Sequence, residues 1–199
     1  MRADFAILLD ACVLADARVS DLFLRLAEEP RLILPKWSDA IWDEAHRTWL
    51  DKLDWPKEIA DSRRNAAIAC FSEAMIEGYE ALIEHAQNHE SDRHVLAAAI
   101  FAKVEVIVSF NLKHFPENAL SRWNITAVHP QTYLTTLFEH SPDIVMEKMK
   151  RMSADARCTV EEILGRLRWS VPEFVNYVAH EMRLSVPVIE PAAWRTRSG

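Results

Sequence analysis

The stretch that most limits the possible folds is Val104 to Phe110, Val-Glu-Val-Ile-Val-Ser-Phe, a mostly apolar, β-branched run of strand length. Such near-continuous hydrophobicity belongs to a strand covered on both faces, the situation of a parallel sheet sandwiched by helices. Just before it, Val95, Leu96, Ala99 and Ile100 recur at the i, i+3, i+4 spacing of a buried helix face. Ser91 stands where an N-cap is expected, with Asp92 in the first turn. A second run, Phe5-Ala-Ile-Leu-Leu9, reads as another buried parallel strand and leads directly into Asp10, as the later strand leads into Asn111. Ligands of open α/β sheets bind beyond the carboxyl ends of the strands, so Asp10 and Asn111 lie where such a fold places its chemistry. A plainer reading stands beside this one, in which Ser91-Asp92 is only a cap and Asn111-Leu-Lys-His114 only a turn.

The remaining chain fits the same alternation. Leu22, Phe23, Leu26 and Ala27 give Ser20 to Glu29 the period of an amphipathic helix, and Leu32-Ile-Leu34 reads as a short strand. Ser38 offers an N-cap to a helix from Asp39 to about Leu50, whose apolar side is Ile41, Trp42, Ala45 and Trp49. Glu44 falls on the edge of that stripe, where an unpaired carboxylate is costly to desolvate and a partner, either a salt bridge or a metal ion, is expected. Glu58 to Gln87 predicts two further amphipathic helices, the second carrying Ala74, Ile76, Tyr79, Leu82 and Ile83. Trp123 to Val128 predicts a last strand, followed by a helix with Tyr133, Leu134, Leu137 and Phe138. The α/β domain is thus expected over residues 1–140. Ser141-Pro142 opens an all-helical extension over 141–199, in which Thr159-x-x-Glu162 and Ser170-x-x-Glu173 both fit the capping box.

Composition removes several classes of function. Only three glycines occur, and neither the P-loop nor the dinucleotide-binding glycine pattern is present. Cys12, Cys70 and Cys158 follow neither a zinc-ligand nor a disulfide pattern, which fits a reducing cytoplasm. The early apolar run is too short for a membrane span, so no membrane role is expected. Residues 143–199 carry nine Lys/Arg against eight Asp/Glu, leaving 14 against 22 in residues 1–142. Any grip on nucleic acid must therefore be local or bridged by metal ions rather than a broad basic surface.

Asp10, Glu44 and Asp92 are all assigned to one sheet edge, although far apart in sequence. Gathered carboxylates repel one another, and a hard divalent cation among them relieves that repulsion. Oxygen-only ligation favours Mg²⁺ or Mn²⁺, and such ions suit phosphodiester hydrolysis. Lys36, Arg93, His94, Lys113 and His114 lie near these acids in the sequence pattern, with Arg93, Lys113 and His114 as candidate substrate contacts. The seven tryptophans read as core and interface residues rather than base-stacking platforms.

Four pieces, Leu8-Leu9-Asp10-Ala-Cys-Val-Leu14, Ser38 with Glu44, Asp92-Arg-His-Val-Leu-Ala-Ala-Ala99 and Val108-Ser-Phe-Asn111-Leu-Lys-His-Phe-Pro116, occur in an order that resembles the PIN-domain ribonucleases. The VapC-type toxins of bacterial toxin–antitoxin pairs are especially similar. The resemblance spans roughly residues 4–138. It implies a Rossmann-like three-layer α/β/α fold with a parallel sheet, acidic Mg²⁺ or Mn²⁺ ligands at Asp10, Glu44 and Asp92, and Asn111 at the fourth catalytic position. It further implies an RNA substrate, a cognate antitoxin and a homo-oligomer. Many members carry Asp where this chain has Asn111, and His114 replaces an Asp found in the branch with Asn-Leu-Lys-Asp-Phe-Pro, so one-metal and two-metal readings both remain open. The rival readings are a PIN fold that has lost turnover and only binds RNA or protein, and a phosphatase using Asp10 as nucleophile. The second is opposed by Cys12, which stands where haloacid-dehalogenase-type enzymes need another Asp.

Overall fold

The computed structural model describes residues 5–189. The chain forms two compact units that part between Pro130 and Gln131, ahead of the Ser141-Pro142 junction. In the first unit, β1 (Ala6–Leu9), β2 (Leu34–Lys36), β3 (Val106–Val108) and β4 (Thr126–Val128) form one sheet in the order β2-β1-β3-β4, with every pairing parallel. Ile7, Leu8 and Leu9 on β1, and Ile107 and Val108 on β3, have no accessible surface. Successive strand residues point to opposite faces, so this burial requires cover on both sides and gives the three-layer α/β/α architecture.

Parallel neighbours need crossovers, and the helices supply them. α1 (Ala11–Ala15) and α2 (Ala17–Ala27) join β1 to β2. α3 (Asp39–Asp51), α4 (Lys57–Cys70) and α5 (Arg93–Phe101) lie between β2 and β3, and α6 (Glu117–Leu120) lies between β3 and β4. Ser38 caps α3 as expected: its Oγ accepts the Ile41 N–H at 3.4 Å and the Tyr79 hydroxyl at 3.2 Å. Trp37, Trp42 and Trp49 are buried as expected of core residues, and the Trp49 indole donates to the Ala15 carbonyl at 2.9 Å. Trp169, by contrast, is exposed, and Trp194 lies outside the described residues.

Several local expectations are corrected. α2 starts earlier than Ser20 because Asp16 caps it, accepting the Arg18 and Val19 N–H groups. The strand expected over 32–34 is shifted to 34–36, where Ala6, Ile7 and Leu8 pair with Leu34, Pro35 and Lys36. No α-helix forms over 74–87. Trp37 and Met75 make a parallel bridge there, Gly78 takes a φ of +77°, and only the 3₁₀ segment Glu80–His85 follows. A positive φ interrupts any right-handed helix, and glycine adopts it without strain. Ser91 does not cap α5. A 3₁₀ turn, Glu90–Asp92, precedes that helix, Asp92 occupies its N-cap position without a side-chain cap bond, and the Ser91 hydroxyl donates to Asp92 Oδ1 at 2.6 Å.

The second unit is helical in its described part: α7 (Pro130–His140), α8 (Pro142–Asp155), α9 (Val160–Leu167) and α10 (Pro172–Glu181). α9 packs on both α8 and α10, and Val145, Met149, Leu164, Phe174, Val175 and Val178 are fully buried. The Thr159/Glu162 capping box forms, with the Glu162 N–H on Thr159 Oγ1 at 3.1 Å and the Thr159 N–H on Glu162 Oε2 at 2.9 Å. The Ser170/Glu173 box does not, because Pro172 opens α10 and puts Val171 at its N-cap. Among the described residues no helix is long and apolar enough to cross a membrane.

Candidate metal centre

Asp10 follows β1 and is the N-cap of α1, a placement that both aims and fixes its carboxylate. Oδ1 accepts the Ala11 N–H at 2.7 Å, while Oδ2 accepts the Ser109 hydroxyl at 2.6 Å and the Cys12 thiol at 3.1 Å. Ser109 and Cys12 are themselves held by the backbone beyond β3, since the Asn111 N–H donates to Ser109 Oγ and the Phe110 N–H to Cys12 Sγ. Asp10 is 4% exposed. Burial pushes its carboxyl above the ordinary value, against the lowering effect of Ser109 and Cys12, and the charge of Asp92 adds to the upward push. The Cys12 thiol is pushed up to about 12, first by burial and then by the Asp10 charge, so it remains a neutral donor.

Glu44 projects from α3 with its side chain 43% exposed, and the His94 Nε2 of α5 lies 3.8 Å from its Oε2. This is the partner that its position on the helix edge demanded. Desolvation raises the Glu44 carboxyl, the Asp10 and Asp92 charges raise it further, and His94 and Arg47 lower it. Asp92 is 6% exposed; its Oδ2 is 2.8 Å from His114 Nδ1, and its backbone carbonyl accepts the Asn88 amide at 2.9 Å. Asp10, Glu44 and Asp92 therefore act on one another electrostatically despite their separation in sequence.

The three carboxylates are not the tightest group of ligand atoms. Among the described residues that group is His89, Asp92 and His114, whose ligand atoms lie within 4.8 Å of one another. Asp10, Glu44 and Asp92 form a separate, all-carboxylate set whose like charges repel. Like charges held together and partly desolvated suit a hard cation, so the donor set fits Mg²⁺ or Mn²⁺.

The other candidates are distributed unevenly. Asn111 is exposed, and the bond tying it to this centre runs from its backbone N–H to Ser109. Lys113 is exposed. Arg93 is half-buried, and its Nε is buried without a hydrogen-bond partner, as is His94 Nε2. Lys36 turns to the Glu73 carbonyl and is committed there. A cavity of about 560 Å³ opens beside Glu44, walled by Arg47, Thr48, Lys52, Ser91 and His94 among others. Two participants escaped sequence reasoning. His89 stands three residues before Asp92, a spacing that signals one shared turn, but its approach to His114 has no local signal. Ser109 was legible only as a family position, not as a hydroxyl that donates to Asp10.

A protein of Mycobacterium tuberculosis named "Putative ribonuclease VapC50" is 37% identical to this chain over 128 residues, which covers 62% of this chain and 76% of that protein. No family model matches the sequence, and no solved structure matches it. With the parallel sheet and the helical cover already in place, this degree of identity assigns the chain to the family of VapC-type PIN-domain ribonucleases.

Proposed function

We propose that this chain is a metal-dependent endoribonuclease and the toxin of a toxin–antitoxin pair, working in the cytoplasm as a homo-oligomer. The observation that carries the reading is the mutual electrostatic strain of the acids: burial and the neighbouring carboxylates hold both Asp10 and Glu44 above their ordinary range. Asp10, Glu44 and Asp92 are the ligands in this reading, and Mg²⁺ or Mn²⁺ is the cation. When bound, such a cation supplies Lewis-acid polarisation of the scissile phosphate and a more acidic water. Ser109 and Cys12 hold Asp10 Oδ2 in a fixed direction, and His94 steadies Glu44. Asn111, next to the Asp10 anchor, orients water from the fourth position. Arg93, Lys113 and His114 contact the RNA backbone, where side-chain N–H donors position phosphates. Residues 1–140 carry the nuclease chemistry in this reading, and the helices α8 to α10 of the extension beyond them offer a surface to the antitoxin.

The test combines Mn²⁺ calorimetry with cleavage of a labelled RNA by the wild type, Asp10→Asn and Glu44→Gln. The expected result is Mn²⁺-dependent cleavage by the wild type, with at least a hundredfold loss of rate and weaker Mn²⁺ binding in both folded variants. RNA binding without cleavage by the wild type would favour a module that has lost turnover, a reading that the neutral Asn111 supports.

A further inference from the structure

His89, Asp92 and His114 form a cluster that the acidic centre does not use as a unit. The two imidazoles stack with centroids 4.2 Å apart and planes inclined by 12°, and His114 Nδ1 meets Asp92 Oδ2 at 2.8 Å. Their main chains are braced together. The His89 N–H donates to the His114 carbonyl at 3.1 Å, the Asp92 N–H donates to the His89 carbonyl at 2.9 Å, and Asn88 holds the Asp92 carbonyl. The three side chains thus start from backbone positions that folding has already fixed. Burial is graded across the group: Asp92 is buried, His114 is half-buried and His89 is exposed. One side of the cluster is therefore open to an incoming ion.

Two imidazole nitrogens and one carboxylate oxygen make a borderline donor set, matched to Zn²⁺ and poorly matched to Mg²⁺, which prefers oxygen alone. Metal–ligand bonds of about 2.0–2.1 Å at tetrahedral angles place neighbouring ligand atoms roughly 3.3 Å apart. Closing from the present spread of up to 4.8 Å requires the stack to open so that both in-plane lone pairs face one ion, which turns the exposed His89 ring against its 2.8 Å contact with the Ser91 hydroxyl. Solvent then completes the fourth position, as in other three-ligand zinc sites.

We propose that His89, Asp92 and His114 bind a borderline first-row divalent cation, Zn²⁺ by donor chemistry, and that its binding withdraws Asp92 from the acidic centre. The second half rests on the proposed role of Asp92 as a Mg²⁺ or Mn²⁺ ligand. One carboxylate then serves two sites of different hardness, and linkage makes their occupancies antagonistic: Zn²⁺ weakens Mn²⁺ binding by the factor by which Mn²⁺ weakens Zn²⁺ binding.

The experiment uses the full chain stripped of metal, with Co²⁺ as a coloured probe for the zinc site and Mn²⁺ calorimetry for the acidic one. Wild type and Glu44→Gln are expected to show the visible bands of tetrahedral Co²⁺, whereas His89→Ala, altered at an exposed side chain, binds Co²⁺ at least tenfold more weakly while keeping wild-type Mn²⁺ affinity. Saturation with Zn²⁺ is expected to weaken Mn²⁺ binding at least tenfold in the wild type and to leave it unchanged in His89→Ala. Equal Co²⁺ spectra and affinities in wild type and His89→Ala would overturn the site, as would thiolate charge-transfer bands showing that cysteine holds the ion. Unchanged Mn²⁺ affinity in Zn²⁺-saturated wild type would overturn the antagonism. Loss of Co²⁺ binding in Glu44→Gln would show that the ion had entered the acidic centre, again overturning the proposal. Failure of Glu44→Gln to disturb Mn²⁺ would count against the acidic centre alone, so the two readings fail separately.

Discussion

Cys12 shows how one side chain is shaped by its neighbours. Its thiol donates to Asp10 and accepts the Phe110 N–H, and burial beside a carboxylate keeps it protonated far above neutral pH. The thiolate is the reactive form, so Cys12 should resist alkylation. Iodoacetamide at pH 8 is expected to modify the exposed Cys70 and to leave Cys12 untouched until the chain is unfolded, as peptide mass analysis would show. Rapid native-state labelling of Cys12 would mean that the Asp10 pocket opens to solvent. At this scale Asp10 and Asp92 were legible because one follows a strand and the other precedes a helix, and Glu44 because it lies on the edge of an apolar helix face. The donors around them were less so: Ser109 reaches Asp10 across 99 positions of sequence, and only strand pairing brings them together.

Among the elements, those with their own punctuation could be read directly. Ser38 before α3 and Thr159 with Glu162 before α9 announce helix starts, and both caps form. Thr159→Ala is expected to cost about 1 kcal/mol, and Ser38→Ala about 1–2 kcal/mol because its hydroxyl is also a partner of Tyr79. Urea midpoints at constant slope would report both, and a neutral Ser38→Ala would mean that another group takes over the cap. Elements set by tertiary pairing were harder to read. Pro35 and Lys36 carry little strand propensity, yet both lie in β2 because β1 offers them partners. The apolar residues between Ala74 and Ile83 follow a helical period, but Gly78 and the Trp37–Met75 bridge impose another path. α5 has buried residues around most of its circumference, Val95 to Ala99 in succession, so its single apolar stripe was an underestimate.

For the whole molecule, the acidic centre should leave a mark on stability. Asp10 and Glu44 have folded-state values raised above their ordinary 3.8 and 4.5, so the folded chain holds protons that the unfolded chain has released. The stabilisation linked to those protons is full below the ordinary values and is lost as pH rises through the raised ones. Metal-free protein is therefore expected to lose stability from this source on going from weakly acidic to neutral pH, with a shallower fall in Asp10→Asn. Thermal melts of both across pH 4–8 would check this, and identical slopes would show that Asp10 titrates normally.

The order β2-β1-β3-β4 also sets a clock. Leu9 pairs with Val108, so the first acid leaves the ribosome long before the strand that supplies its Ser109 anchor. At about 5–20 residues per second, that interval is on the order of 5–20 s. A nascent chain consequently carries Asp10 without the hydroxyl that orients it. Any chemistry that needs a fixed Asp10 carboxylate therefore waits until synthesis of the first unit is almost complete.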